Sequence, residues 1–144
     1  PFEMPSYKLH YFDVRGSGEI ARLMFAYAGQ QFEDIRYGIK ESPRHQGPDH
    51  EFKKKAPFGQ LPVLDVDGKL LPQSGAIFRY IGKQFGLSGK TDFEAAWVDA
   101  LANQFKDYYT DFGKFYYLAI GYKEGDKEQA RKEFGEPARD KFFA

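Results

Sequence analysis

The chain contains no cysteine among its 144 residues, so it can form no disulfide, bind no metal through a thiolate and use no cysteine nucleophile. It has no net charge, because 21 Lys and Arg balance 21 Asp and Glu. This balance argues against nucleic acid or an anionic membrane as the main partner. No apolar run approaches the roughly 20 residues that cross a bilayer, and no basic segment followed by an apolar one opens the chain. We therefore expect a cytoplasmic protein with no membrane partner.

Aromatic residues, in contrast, are abundant, with 15 Phe and 10 Tyr. Most of them are expected to fill a core, and the length suffices for one full domain, or for one small domain and part of another. The three histidines, His10, His45 and His50, lack the neighbouring carboxylates and the spacing of a metal site. We predict no metal site and no tightly bound cofactor.

The first 86 residues alternate between patterns typical of strands and patterns typical of helices. The first predicted elements are a strand over 7–12, an amphipathic helix with apolar residues Ile20, Leu23, Met24 and Tyr27 that ends at Gly29, and a strand over 32–36. A loop over 38–49 and a helical turn over 51–55 follow. The last elements are a strand over 63–66, which the Asp67-Gly68 turn connects to a second strand, and a helix that is capped by Ser74 and ends at Gly86. This order predicts an α/β thioredoxin-like domain over residues 5–86.

A wholly helical pattern follows a short linker predicted over 87–91. Apolar residues step by three or four positions through one long segment: Trp97, Leu101, Phe105, Tyr108, Phe112 and Phe115. A further helix is predicted over 126–134, and Pro137 is suited to start another. Residues 92–144 are therefore expected to form part of an all-α helical-bundle domain, one that leaves an apolar face exposed.

Tyr11 lies near the end of the first predicted strand, close to the position where thioredoxin-like domains normally carry a Cys-x-x-Cys pair. Without cysteine the chain cannot exchange dithiols, so any reacting sulfur must arrive with a ligand. A tyrosine hydroxyl can donate a hydrogen bond to a thiolate and so lower the pKa of the thiol. The alternative is a strand aromatic that only packs the core.

The segment from Ala56 to Ser74 offers a second set of candidate binding groups. A cis proline at Leu61-Pro62 would turn the Leu61 backbone groups toward an extended peptide, although an ordinary proline also starts strands. Gln73-Ser74 opens a helix whose N-terminus favours a carboxylate, and Lys53 could neutralise a second one. A plain helix cap and a solvated basic turn are the alternatives.

Four stretches occur in a specific order. They are Tyr7-Lys-Leu-His-Tyr-Phe-Asp-Val-Arg-Gly16 with Glu19 to Arg22, Pro57-Phe-Gly-Gln-Leu-Pro-Val-Leu-Asp-Val-Asp-Gly68, Gln73-Ser74 with Ala76-Ile77 and Arg79-Tyr80, and Val98-Asp99-Ala100. Together they resemble the glutathione transferase family, in particular its sigma class, which includes nematode enzymes and haematopoietic prostaglandin D synthases. The resemblance covers roughly residues 5–120. It implies glutathione as co-substrate, a small apolar electrophile as second substrate, and a homodimer.

The resemblance also implies a role for each matching residue. Tyr11 would stabilise the thiolate and act as the catalytic residue. The residues implied to bind glutathione are Tyr11, Lys53, Gly59, Gln60, Leu61, Pro62, Gln73 and Ser74, with Asp107 supplied by the partner subunit.

Two positions depart from the class pattern. Ser17 stands where the class usually has an arginine, and the segment before Lys53 is longer, over 41–50, and lacks the usual tryptophan. Ser42, Asp49 or Phe52 could take the place of that tryptophan.

The predicted function is a glutathione transferase that conjugates the glutathione thiolate to apolar electrophiles. The alternatives are a glutathione-dependent prostaglandin D isomerase and a non-catalytic relative that serves as a crystallin-like structural protein or a ligand carrier. A further alternative is an interaction module that uses the fold only to dimerise and binds no glutathione. Retention of Tyr11, Gln73 and Ser74 favours the enzyme.

Overall fold

The computed structural model describes residues 5–38 and 48–144. The chain divides into two compact units, the first ending at Ser88 and the second beginning at Gly89. The first unit is a thioredoxin-like α/β fold and the second is helical, as the sequence predicted. In the described parts of the chain, no helix is both long enough and apolar enough to cross a membrane.

A mixed four-stranded sheet forms the centre of the first unit. Its strands are β1 (Tyr7–Phe12), β2 (Glu33–Tyr37), β3 (Val63–Val66) and β4 (Lys69–Pro72). The strand order is β2-β1-β3-β4, with β1 parallel to β2 and antiparallel to β3. The predicted first and third strands are confirmed, and the second begins one residue later than expected.

The turn between β3 and β4 explains the register of that hairpin. Asp67 and Gly68 both have positive φ, at 50° and 82°, which is the conformation of the two-residue turn that matches the twist of paired strands. The Gly68 N–H donates to the Asp65 carboxylate at 2.6 Å. The turn signal in the sequence is therefore confirmed.

Three helices complete the first unit: α1 (Glu19–Tyr27), α2 (Pro48–Lys55) and α3 (Ser74–Gln84). A single 3-10 turn, Gly16–Gly18, leads into α1. Most of the loop predicted over 38–49 lies outside the described residues, and its last two residues belong to α2 instead. Gly29 and Gly86 follow α1 and α3 with φ of 64° and 70°, so both predicted helix ends are confirmed.

The core lies between the sheet and the helices α1 and α3. Its fully buried members are Leu9, Ala21, Phe25, Leu64, Ile77 and Ile81. The face of α1 that enters it differs from the predicted one, because Ala21 and Phe25 are buried while Leu23 and Tyr27 are 60% and 82% exposed. The Phe25 ring decides the orientation of the helix, since it packs 4.7 Å from the Phe32 ring and 5.2 Å from the Tyr7 ring.

The second unit is built on one long helix. It contains α4 (Asp92–Ala119), α5 (Lys127–Ala130) and α6 (Glu136–Phe143), with a π-helical turn over Arg131–Gly135 between the last two. Thr91 and Glu94 form a reciprocal capping box at the start of α4.

The single helix predicted over 126–134 is thus divided into α5 and the π-helical turn. The turn brings Gly135 against Phe115, where an added Cβ would lie 2.9 Å from the ring. Such a close approach of backbone to an aromatic ring is not visible in the spacing of the sequence.

The apolar stripe of α4 is covered only in part. Its first half is open, with Phe93, Trp97 and Leu101 exposed by 74%, 58% and 63%. Its second half packs against α6, where the rings of Tyr108 and Phe142 lie 4.8 Å apart. The expected exposed apolar face is therefore confirmed within the described residues, and it lies on the first half of α4.

Candidate functional site

Tyr11 lies near the end of β1 and is only 7% exposed. The turn that follows β1 is built around its ring: a Cβ added to Gly18 would overlap that ring. The backbone N–H of Ser17 donates a hydrogen bond to the Tyr11 hydroxyl oxygen at 3.0 Å. Glycine at position 18 therefore allows the backbone to approach closely enough to hold the phenol in place.

A buried arginine supports the same tyrosine. Arg22 is 6% exposed, and its guanidinium carbon lies 5.8 Å from the centre of the Tyr11 ring. Its Nε donates to both carboxylate oxygens of Asp34 at 3.1 Å. Its remaining nitrogens donate to the carbonyl oxygens of Val14 at 2.7 Å and Phe12 at 3.2 Å, and to the Glu19 carboxylate at 3.1 Å. The guanidinium thus holds the backbone that follows β1 and lies beside the Tyr11 ring, with its charge balanced by Asp34 and Glu19.

The Leu61-Pro62 peptide bond is cis, as the sequence suggested. Pro62 is buried directly before β3, and Leu61 is half-buried. Gly59 precedes this corner with φ of 61°, and its N–H donates to the Ala56 carbonyl at 3.0 Å. Gly59 therefore occupies a left-handed conformation that a side chain would disfavour.

The start of α3 brings two predicted site residues together. The Gln73 side-chain amide lies 3.5 Å from the side-chain oxygen of Gln60, across the corner. Gln73 has φ of 72° and ψ of 115°, a conformation that costs a non-glycine residue about 1–3 kcal/mol.

The expectation that Ser74 caps α3 is wrong. Gln73 occupies the cap position and makes no side-chain capping bond, while Ser74 is the first helical residue. Left-handed backbone at position 73 moves the helix start by one residue. Ser74 therefore presents both its N–H and its hydroxyl at the helix N-terminus, where the helix dipole favours an anion.

Lys53 lies in the last turn of α2, and its ammonium is 4.9 Å from the centre of the Phe12 ring. It is therefore held beside the residue that follows Tyr11. Asp107 belongs to the second unit and is exposed on α4. Its assignment to a partner subunit's site stays a prediction.

The structure gives roles to two residues for which the sequence predicted none. Ser17 was noted only as a departure from the class pattern, yet its backbone N–H donates a hydrogen bond to Tyr11. Arg22 lies in a stretch that carries the family resemblance, but no role in the site was predicted for it. The close run of glycines after Tyr11 was the one available signal for the first of these. Nothing in the spacing indicated the second.

The model of the domain described as "Glutathione S-transferase, N-terminal domain" matches residues 7–83. This match covers more than half of the chain and includes all of the first unit's predicted site residues. The chain belongs to the glutathione S-transferase family.

Nematode members of the family are similar over nearly the whole chain. Glutathione S-transferase 1 of Ascaris suum is 51% identical over 138 residues, which make up 96% of this chain and 64% of that protein. Probable glutathione S-transferase 9 of Caenorhabditis elegans is 48% identical, over 98% of this chain and 65% of that protein. The chain therefore spans about two thirds of the length of these curated relatives, slightly less in each case.

Solved structures agree with the sequence relatives. Na-GST-3 of the hookworm Necator americanus, described as monomeric, has a TM-score of 0.83 and 48% identity, over 96% of this chain and 64% of its own. A Nu-class enzyme of Haemonchus contortus has a TM-score of 0.76 and 47% identity, over 97% and 65%. Prostaglandin synthase D of Nilaparvata lugens is less similar, with a TM-score of 0.69 and 37% identity over 89% and 58%.

Proposed function

We propose that this chain is the glutathione-binding part of a transferase that conjugates the glutathione thiolate to small apolar electrophiles. Residues 5–86 form the glutathione-binding domain in this proposal, 87–91 the linker, and 92–144 part of the helical domain. The activity is proposed for the whole protein, since the chain spans about 65% of the length of the relatives that it matches.

The observation that supports this function best is the environment of the Tyr11 hydroxyl. The Ser17 N–H donates to its oxygen, and the Arg22 guanidinium lies beside its ring. The Ser17 N–H stabilises negative charge on the phenol oxygen, which makes the O–H a stronger hydrogen-bond donor. A stronger donor at the end of β1 favours the thiolate of a bound ligand over its thiol.

The energy required is of a suitable size for one tyrosine. A free thiol has a pKa of about 8.5, so only a few per cent of it is ionised at neutral pH. Lowering that pKa by about two units takes roughly 2.7 kcal/mol. One hydrogen bond to a charged group contributes about 1.5–3 kcal/mol.

The remaining residues are proposed to hold the peptide. The backbone groups of Leu61 at the cis corner pair with the cysteinyl residue of glutathione, as an added strand would. Gln73 and Ser74 hold the γ-glutamyl carboxylate at the start of α3, with Gln60 against Gln73. Lys53 neutralises the glycine carboxylate.

We propose the class of the enzyme from its sequence identity to solved structures of different classes. The sequence motifs resemble the sigma class, whereas a structure at 47% identity is described as Nu-class and the prostaglandin synthase is only 37% identical. These values favour a nematode-type transferase over a prostaglandin D isomerase. The motifs also resemble those of homodimeric enzymes, so we propose a homodimer in which Asp107 enters the partner's site. Because Na-GST-3 is described as monomeric, the oligomeric state of the full-length protein should be measured.

We propose the cytosol as the compartment, because thiols are kept reduced there and the co-substrate is a thiol. The balanced charge of the chain gives no support for nucleic acid or an anionic membrane as a partner.

The test is a titration of bound glutathione, followed by the ultraviolet absorbance of its thiolate. In the full-length protein we expect the bound thiol to titrate about two pKa units below free thiol, and the Tyr11→Phe variant to return it to about 8.5. Tyr27→Phe is the matched control, since Tyr27 is 82% exposed. The catalytic proposal fails if the bound thiol titrates no lower than free thiol, and an interaction module is favoured if glutathione does not bind at all.

A further inference from the structure

His10 is a buried titratable residue to which the proposed mechanism gives no role. It lies in the middle of β1 and is 7% exposed. Because side chains alternate along a strand, it points to the face of the sheet opposite Tyr11. Its Nδ1 lies 2.8 Å from the Tyr37 hydroxyl on β2, within hydrogen-bond distance.

The imidazole also packs against α2. Its ring stacks on the Phe52 ring with centroids 3.8 Å apart and planes inclined by 9°, closer than the 4.5–7 Å usual for aromatic pairs. Phe52 directly precedes Lys53 on α2. The Tyr37 contact fixes the orientation of the imidazole ring. Because the Phe52 ring lies flat on the imidazole, the stack in turn fixes the orientation of α2.

A second contact joins α2 to the same face of β1. The Lys53 ammonium lies 4.9 Å from the centre of the Phe12 ring, and Phe12 shares a face with His10 because the two are two residues apart. Successive residues of α2 thus rest on alternate residues of β1. Any rotation of α2 about its axis would separate both pairs at once.

We propose that His10 is a positioning residue for glutathione: its stack on Phe52 fixes α2 and thereby holds the Lys53 ammonium where it meets the glycine carboxylate. The inference rests on the proposed function, since it assumes that Lys53 binds the glycine carboxylate of glutathione. Phe52, which directly precedes Lys53, is the aromatic residue through which His10 holds the helix. His10 acts on ligand affinity and leaves the Tyr11 chemistry unchanged.

The experiment compares variants in the full-length protein with S-methylglutathione, a ligand with no ionisable thiol. Calorimetry should show binding weakened by about tenfold in His10→Leu, the size expected when one charge-assisted contact is lost. His10→Phe keeps the flat stack and should recover most of that loss. Lys54→Met is the control, because Lys54 pairs with Glu51 at 2.6 Å and has no role in the site.

A double-mutant cycle tests whether His10 acts through Lys53. If it does, His10→Leu combined with Lys53→Met should bind no more weakly than Lys53→Met alone. Turnover at saturating glutathione should stay unchanged in His10→Leu while KM for glutathione rises. Additive losses in the cycle, or a fall in kcat with KM unchanged, would overturn the proposal.

Hydrogen exchange measures the docking of α2 without any ligand. The peptide covering residues 51–60 should exchange faster in His10→Leu than in wild type, while β3 stays protected. Equal exchange in that peptide would overturn the proposal whatever the binding result. Failure of wild type to bind S-methylglutathione would instead reject the proposed function, and the two failures are thereby distinguished.

Discussion

The two units of this chain are stabilised in different ways. The first buries six large side chains completely, from Leu9 in β1 to Ile81 in α3. In the second, the described side chains Phe93, Trp97 and Leu101 are more than half exposed on one helix. The first unit joins residues distant in sequence through a sheet. The second depends more on interactions between residues a few positions apart.

This difference explains where polar side chains are buried with partners. In the first unit, Arg22 is buried against Asp34 and His10 against Tyr37, and both lie beside proposed site residues. In the second, the ion pairs of Arg131 with Glu128 and Glu136 are on the surface. Only a closed core excludes enough water for a polar contact to gain strength, so the candidate chemistry lies in the first unit.

The largest expected effect tests the burial contrast with one substitution in each unit. Phe25→Ala should reduce the free energy of unfolding by about 3–5 kcal/mol, because it leaves a cavity among tightly packed rings. Phe93→Ala should change it by less than about 0.5 kcal/mol, since its side chain is mostly in water. Urea denaturation followed by circular dichroism measures both. Similar losses at the two positions would show that α4 is covered in solution.

The second effect compares two arginines with carboxylate partners. Arg22→Met should cost about 3 kcal/mol, because it leaves the Val14 and Phe12 carbonyl groups without their donor and Asp34 with Arg36 alone. Arg131→Met should leave the unfolding midpoint unchanged, since water screens an exposed pair. This holds even though the Arg131 hydrogen bond and Lys132 lower the pKa of Glu128 to about 2. A large loss at Arg131 would contradict the description of the second unit.

The third effect contrasts the starts of two helices. Gln73→Gly should raise the free energy of unfolding by about 1 kcal/mol, because glycine adopts the left-handed conformation without strain. It should also weaken glutathione binding, since the side chain is lost. Thr91→Ala should instead lower stability by about 1 kcal/mol through loss of the capping box. Thermal unfolding measures the stability of both variants, and calorimetry measures glutathione binding by Gln73→Gly. Unchanged affinity in Gln73→Gly would show that the Gln73 side chain does not bind glutathione.

The smallest effect concerns pH and is confined to the first unit, because residues 89–144 contain no histidine. Burial lowers the pKa of His10 below its ordinary 6.5, against the raising effects of Asp65 and Glu33, and Lys8 lowers it further. Below pH 6.5 the unfolded chain then binds a proton that the folded chain does not. This contribution to stability is complete above pH 6.5 and is lost as the pH falls toward the lowered value.

The measurement is the free energy of unfolding between pH 7.5 and pH 5 for wild type and His10→Phe. The two curves of unfolding free energy against pH should run parallel above about pH 6.5 and separate only below it. Parallel curves would show that the buried imidazole keeps its ordinary pKa.

Much of the first unit was predictable because local signals agreed there. The strands over 7–12 and 63–66, the Asp67-Gly68 turn and the glycines that end α1 and α3 are all encoded within a few residues. The buried face of α1 was not predictable. Two apolar sets, one with Leu23 and Tyr27 and one with Ala21 and Phe25, both fit a helical period, and only packing on the sheet selects between them.

The candidate site was predictable as residue types in order and not as geometry. Tyr11, the Leu61-Pro62 corner and Gln73-Ser74 could be named from motifs, since each is a short local pattern. Their supporting groups, Ser17 and Arg22, depend on contacts made after the chain folds back on itself. The left-handed backbone at Gln73, which moves the helix start, is also imposed from outside the helix.

The amino-acid sequence alone determined which elements form and in what order, because propensities, turns and caps act over a few residues. It also carried the family, because the motifs of the site are contiguous. Only the tertiary structure decided which helix face is buried, which arginine is enclosed and which ring stacks on His10. Those outcomes depend on the excluded volume and desolvation of residues brought together from distant parts of the chain.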